Sequence, residues 1–176
     1  MAPLIVGARP SKRQVFKNGK LNLGCSSKLP SNLENECAAV AIKFGALQNQ
    51  INGKNIKKAT LRLYISHLPT DVGTTYAVNA FRSGWSTDYI NYRLKPDHYD
   101  RPQTNIEPPI TKAVPYDIDV TSIVLNWAEG RPNHGLLLRD LESSPPAFES
   151  RLTLFESLED NSGSGRRPKI IVEFQK

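Results

Sequence analysis

In the run Ala59-Thr-Leu-Arg-Leu-Tyr-Ile-Ser66, the apolar residues Ala59, Leu61, Leu63 and Ile65 alternate strictly with Thr60, Arg62, Tyr64 and Ser66. A period of two places one set on each face of an extended chain, so the segment is a strand with one buried face. Such a strand needs partners. Similar runs lie at 38–44, 75–81, 114–118, 135–139, 148–155 and 169–174, with a weaker one at 21–23. Turn-rich segments such as Gln50-Ile-Asn-Gly-Lys54 and Asn161-Ser-Gly-Ser-Gly165 separate them, giving about eight short strands.

One segment breaks the pattern. In Asp119-Val-Thr-Ser-Ile-Val-Leu-Asn-Trp-Ala-Glu-Gly130, the residues Val120, Ile123, Val124 and Trp127 fall at helical spacing, with Asp119 suited to the N-cap and Gly130 to the stop. The spacing predicts a short covering helix at about 120–129. Many short strands with a single helix, and no alternation of strand and helix, predict an all-β, antiparallel two-sheet jelly-roll sandwich. At 176 residues the chain holds one such domain, placed at 21–176 behind an arm at 1–20. No stretch approaches the ~20 apolar residues of a membrane-spanning helix.

The net charge of +6 is unevenly placed. Residues 1–70 carry 11 basic and two acidic side chains, net +9, and the remainder is net −3. Arg9, Lys12, Arg13, Lys17 and Lys20 share the first twenty residues with no acid, a basic arm suited to docking on an acidic partner. Phe16 is the arm's single aromatic, whereas nucleic-acid readers interleave bases with aromatics, so nucleic acid is not an expected partner. Residues 1–10 show no secretory signal pattern.

Catalytic patterns are missing from the sequence. His67, His98 and His134 stand in no HExxH spacing, and neither a phosphate-binding GxxxxGK[ST] nor a GxGxxG occurs. Asp117 and Asp119 share a strand face, but Asp119 already serves as a helix cap, so no catalytic residue is expected. Cys25 and Cys37, the two thiols, form no CxxC; a disulfide and two buried free thiols both remain open.

The stretch 84–109 has little periodicity and is too long for a plain connection, which marks it as the functional loop. It carries Trp85, Tyr89, Tyr92, Arg93 and Tyr99. Sugars are held by flat aromatic faces plus hydrogen-bonding groups, and an acidic sugar adds arginine as a partner. Tyr89, Tyr92, Arg93, Tyr99 and Arg82 are therefore the candidate glycan-binding residues, with Arg82 read on an outward strand position like Arg62 and Tyr64, which are further contributors.

Read together, several motifs resemble those of the DNRLRE-domain family: Ala59-Thr-Leu-Arg-Leu-Tyr64, Gly84-Trp85 with Ile90-Asn91 and Pro96, Asp117-Ile-Asp-Val-Thr-Ser-Ile-Val124 with Trp127, Asn133-His-Gly-Leu-Leu-Leu138, Phe155-Glu-Ser157, and Arg167-Pro-Lys-Ile-Ile-Val172. The resemblance spans roughly 20–174. It implies a jelly-roll module of an extracellular or surface protein, some members being carbohydrate-binding. It also makes Trp85 and Trp127 architectural residues, and Asp97 and Asp100 the candidate ligands of a structural calcium ion; no other cofactor is expected.

Two functions follow as expectations. The first is a non-catalytic structural or adaptor subunit of a virion or extracellular surface assembly, multimeric, docking on protein neighbours through the arm and the 84–109 loop. The alternative is a carbohydrate-binding module for an acidic polysaccharide. Either places the chain outside the cell, at its surface or on a virion.

Overall fold

The computed structural model describes residues 2–7, 20–26, 37–86, 97–99, 101, 103–142, 150–156 and 165–175. Among them are twelve strands: β1 (Leu4–Gly7), β2 (Lys20–Cys25), β3 (Cys37–Ala38), β4 (Val40–Ile42), β5 (Ile56–Leu63), β6 (Ile65–His67), β7 (Tyr76–Ala80), β8 (Thr104–Ile106), β9 (Tyr116–Asp119), β10 (Leu136–Asp140), β11 (Thr153–Glu156) and β12 (Lys169–Phe174). Two short helices, α1 (Leu47–Ile51) and α2 (Thr121–Ala128), complete the set.

The strands form three antiparallel four-stranded sheets in the orders β1-β12-β5-β9, β4-β10-β7-β8 and β3-β2-β11-β6. The all-β, antiparallel sandwich-like fold expected from the sequence is present, in three sheets rather than two and with more strands than the eight anticipated. Part of the excess comes from strands that pass between sheets. β5 and β6 are separated by Tyr64 alone, β3 and β4 by Ala39 alone, and each pair contributes to two sheets. The other additions, β1 and β8, are short edge strands.

β1 lies within the stretch read as the arm: Leu4, Ile5, Val6 and Gly7 pair with Val172, Ile171, Ile170 and Lys169. Its inward residue Val6 joins the core while Ile5 faces solvent, so the alternation of even a four-residue apolar patch is enough to cover the edge of β12.

The strongest alternation in the sequence sits at the centre of the core. Ala59, Leu61 and Leu63 are fully buried, facing Ile118 of β9 and Ile170 and Val172 of β12. Helix α2 lies against β5 and closes one end of the sandwich with Ile123, Val124 and Trp127, the last 2% exposed. It starts two residues after Asp119: Val120 occupies the cap position, and the Asp119 carboxylate accepts from the Thr121 N–H at 2.8 Å. That bond satisfies an otherwise orphaned donor. Hydrogen bonding from the Thr121 hydroxyl first, and from its N–H second, holds the Asp119 carboxyl below its ordinary value. Gly130, at φ +102°, ends the helix as expected.

At the opposite end, Cys25 and Cys37 form a disulfide directly across the β2–β3 pair. Near it Arg151 lies between two carboxylates, with its Nε 3.4 Å from Asp140 and a terminal nitrogen 3.9 Å from Asp71.

Candidate functional site

The antiparallel order β4-β10-β7-β8 brings four chain segments to one end of that sheet. β4 ends at Ile42 and β7 at Ala80, both opposite Leu136, where β10 begins, and β8 begins at Thr104 opposite Val78. Lys43, residues 82–86, residues 97–99 with Arg101 and Gln103, and residues 131–135 therefore converge. Chain distance hides this grouping, since 88 residues separate Lys43 from Arg131.

Two aromatic side chains organise the cluster. The half-buried Trp85 ring lies 5.3 Å from the Phe81 ring at a 55° tilt, and its indole N–H donates to the His134 carbonyl at 2.7 Å. The Lys43 ammonium stands 4.3 Å from the centre of the Trp85 ring and donates to the Trp85 carbonyl. Burial lowers the Lys43 pKa from its ordinary value, while the ring face stabilises the cation.

The second anchor is Tyr99. The Arg82 guanidinium lies 5.6 Å and the Arg131 guanidinium 6.0 Å from the centre of its ring. Arg131 also donates to the Tyr99 hydroxyl at 3.1 Å. Arg82 faces Asp97 at 3.7 Å, with side chains 53% and 62% exposed. An ion pair that open to water is worth only ~0–1 kcal/mol, so a ligand anion can compete for Arg82. Among the described residues no carboxylate pairs with Arg131.

Side-chain amides hold the loops in place. Asn133 donates from its Nδ2 to the Phe44 carbonyl at 3.1 Å, and its Oδ1 accepts from the Gly135 N–H at 3.0 Å. Gln48 accepts from the Asn133 N–H at 2.9 Å and donates to the Trp127 carbonyl at 2.6 Å. Gly135 sits at φ +100°, and a Cβ there would run into the Ile42 carbonyl, so no other residue lets this loop approach β4 so closely.

The cluster thus presents three cations beside two aromatic rings. Guanidinium forks bind carboxylates in two parallel hydrogen bonds, and ring faces cover the apolar C–H faces of a sugar. Because both guanidinium groups lie against Tyr99, less of their freedom remains to be lost when a ligand binds.

Of the residues singled out from sequence, Arg82, Asp97 and Tyr99 come together here. Arg82 stands just past β7 rather than within a strand. Tyr89, Tyr92, Arg93 and Asp100 lie outside the described residues, as do Arg9, Lys12, Arg13 and Lys17. Lys20 opens β2, where its ammonium pairs with the Glu156 carboxylate. Arg62 and Tyr64 occupy a different face: Arg62 forks the Asp117 carboxylate at 2.7 and 2.6 Å, and Lys169 stands 5.3 Å from the centre of the Tyr64 ring.

Among the described residues no three His, Cys, Asp or Glu side chains are grouped to hold a metal ion. A calcium ion at Asp97 would have to share that carboxylate with Arg82. Lys43 and Arg131 are additions the sequence did not signal, and His134, read there only as one of three scattered histidines and part of a family motif, contributes its carbonyl. Trp85, read as architecture, is fixed by its neighbours yet remains partly open to solvent.

The family model for carbohydrate-binding module family 96 matches residues 22–161, a span that includes all four converging segments. No curated protein matches the chain in sequence.

Proposed function

The chain belongs to carbohydrate-binding module family 96, and we propose that it holds an acidic polysaccharide at the Lys43, Arg82, Trp85, Tyr99 and Arg131 cluster. The observation that carries this reading is the placement of two guanidinium groups on one tyrosine ring, with Arg131 bonded to the Tyr99 hydroxyl. Arginines held in this way receive ligand carboxylates. The rings of Trp85 and Tyr99 supply apolar contact, and Asp97 supplies an acceptor for sugar hydroxyls or a competitor for Arg82.

The resemblance to the DNRLRE-domain family supports the same class of module. A carbohydrate-binding module is non-catalytic by itself. The disulfide fits an oxidising compartment, and an extracellular or surface location follows from both. Among the described residues no helix is long and apolar enough to cross a membrane. The family match lends no support to a virion or structural-subunit role. The arm cations Arg9, Lys12, Arg13 and Lys17 are then secondary contacts to the same polyanion.

The test is retention on polymannuronate, polyguluronate and polygalacturonate gels, with a neutral glucan as control. Arg131→Ala and Arg82→Ala each remove a charge-assisted hydrogen bond worth ~1.5–3 kcal/mol, so each is expected to weaken retention by about tenfold or more. Parent-like retention of both variants, or equal retention of the parent on the neutral glucan, would overturn the assignment.

A further inference from the structure

We infer that Asn79 and Gln103 are positioning residues for this site: their side-chain amides tie β7 to the segment ahead of β8 and thereby set Asp97, Tyr99 and Arg101 on the sheet end. The inference rests on the functional reading above for what the segment binds, and on the structure alone for what holds it.

All five residues of β7 are buried. Tyr76, Val78 and Ala80 face the core, which by the period of two turns Ala77 and Asn79 to the outer face. A fully buried amide on an outer sheet face requires a cover and a full set of partners. The cover is the segment leading into β8. The Arg82 N–H donates to the Asp97 carbonyl at 2.8 Å, and the Tyr99 N–H to the Ala80 carbonyl at 3.2 Å. Further along, the Gln103 N–H donates to the Val78 carbonyl at 3.0 Å, after which the β7–β8 ladder begins.

Phe81 faces His98 whereas Val78 faces Thr104, so the register against β7 changes between these two points, and side chains bond there. The Ala80 N–H donates to Oε1 of Gln103 at 2.6 Å. Nδ2 of Asn79 donates to the carbonyls of both Tyr99 and Arg101, the latter at 3.0 Å. Its Oδ1 accepts from Arg139 Nε at 3.3 Å. Both amide hydrogens of Asn79 are thus used on carbonyls two residues apart, as a neighbouring strand would use its own donors.

The consequence is positional. A ladder continued in the register of Phe81 and His98 would set Val78 opposite Arg101, but Val78 pairs with Thr104. The two amides bond across that change of register. Asp97 and Tyr99 stand ahead of it, and Arg101 is exposed. Asn79 touches no ligand. It acts through the backbone of residues that do.

The test uses Asn79→Leu, Asn79→Asp and Gln103→Met in the full chain. Asn79→Asp keeps an acceptor for Arg139 but has no hydrogens for the two carbonyls, and Gln103 is only half-buried, which makes Gln103→Met the mildest variant. Amide hydrogen exchange is the primary readout. The Tyr99 and Gln103 amides should exchange at least tenfold faster in each folded variant, while amides of β12 and β5 keep the parent's rates. Retention on the polyuronate gels should fall at least fivefold alongside.

A merely structural role would speed exchange uniformly, and that result would overturn the inference. Parent-like exchange at Tyr99 and Gln103 would do the same. Should the positioning variants show local exchange while Arg82→Ala and Arg131→Ala retain full binding, the positioning role stands and the polysaccharide assignment falls.

Discussion

Cutting the Cys25–Cys37 bridge measures how much of the fold depends on the end opposite the candidate site. The bridge closes a loop of sequence separation 12. Loop-closure entropy for that length is about 9.5 cal/mol/K, or about 3 kcal/mol at 25 °C. Both cysteines are buried, at 1% and 7% exposure, so serine replacements would add unsatisfied hydroxyls to the loss. The double variant Cys25→Ala/Cys37→Ala isolates the cross-link.

For a chain of this size, ~1 kcal/mol corresponds to ~2–4 °C in Tm, so the variant should melt ~6–12 °C lower. The β2–β3 pair has only two residue pairs, Gly24 with Ala38 and Cys25 with Cys37, so β3 should also lose protection locally. Urea unfolding followed by tryptophan fluorescence gives the free energy, and gel retention gives binding. Polysaccharide affinity should stay within twofold of the parent's, because the bridge lies in another sheet, beside Glu142 just past the end of β10, whereas Arg82 and Arg131 lie where β10 begins. A double variant as stable as the parent would refute the entropic reasoning. Lost binding in a variant that still folds would refute the separation of the two ends.

Two other substitutions probe local electrostatics. Asp97→Asn removes the carboxylate beside Arg82 without changing its shape; retention on polyuronate should rise about two- to fivefold, within the ~0–1 kcal/mol span of an exposed ion pair, with no change on a neutral glucan, as affinity electrophoresis would show. Asp119→Ala removes the acceptor for the Thr121 N–H and should cost ~1 kcal/mol at pH 7. Because the folded Asp119 pKa is lowered, its contribution is present above the ordinary carboxylate value and lost as pH falls through the folded value. The difference between parent and variant in urea melts should therefore shrink towards acid pH and vanish below it.

The fold was legible wherever one sheet face is buried and the other wet. Ala59 to Leu63 announced β5 because each inward residue meets another apolar residue across β9 and β12. Thr104–Ile106 gave no such signal: three residues are too few to show a period, and β8 exists because β7 offers it a register. The five-residue helix Leu47–Ile51 is also below the length at which helical spacing can be read. Its buried ends, Leu47 and Ile51, look like any two apolar residues four apart. Leu4 to Val6 is too short an apolar patch to show a period, and only the edge of β12 makes it a strand.

The site was legible in part for the same reason. Tyr99, Asp97 and Arg82 belong to or adjoin one loop whose composition stands out. Lys43 falls at the end of a strand run and Arg131 just past a helix, and only the strand order brings them to the same sheet end. Asn79 carried a signal that went unread, since a polar residue in the otherwise apolar run Tyr76–Ala80 calls for a partner above the sheet.

The most direct test of the central claim is a two-dimensional NMR titration of the labelled protein with short oligouronates, following backbone amides and arginine Nε–H signals. The account predicts saturable shifts at Arg82, Trp85, Tyr99 and Arg131, with the Arg62 and Tyr64 face and the Cys25–Cys37 end unmoved. Shifts centred on Arg62, Tyr64 and Lys169, or the same shifts with neutral oligosaccharides, would contradict it.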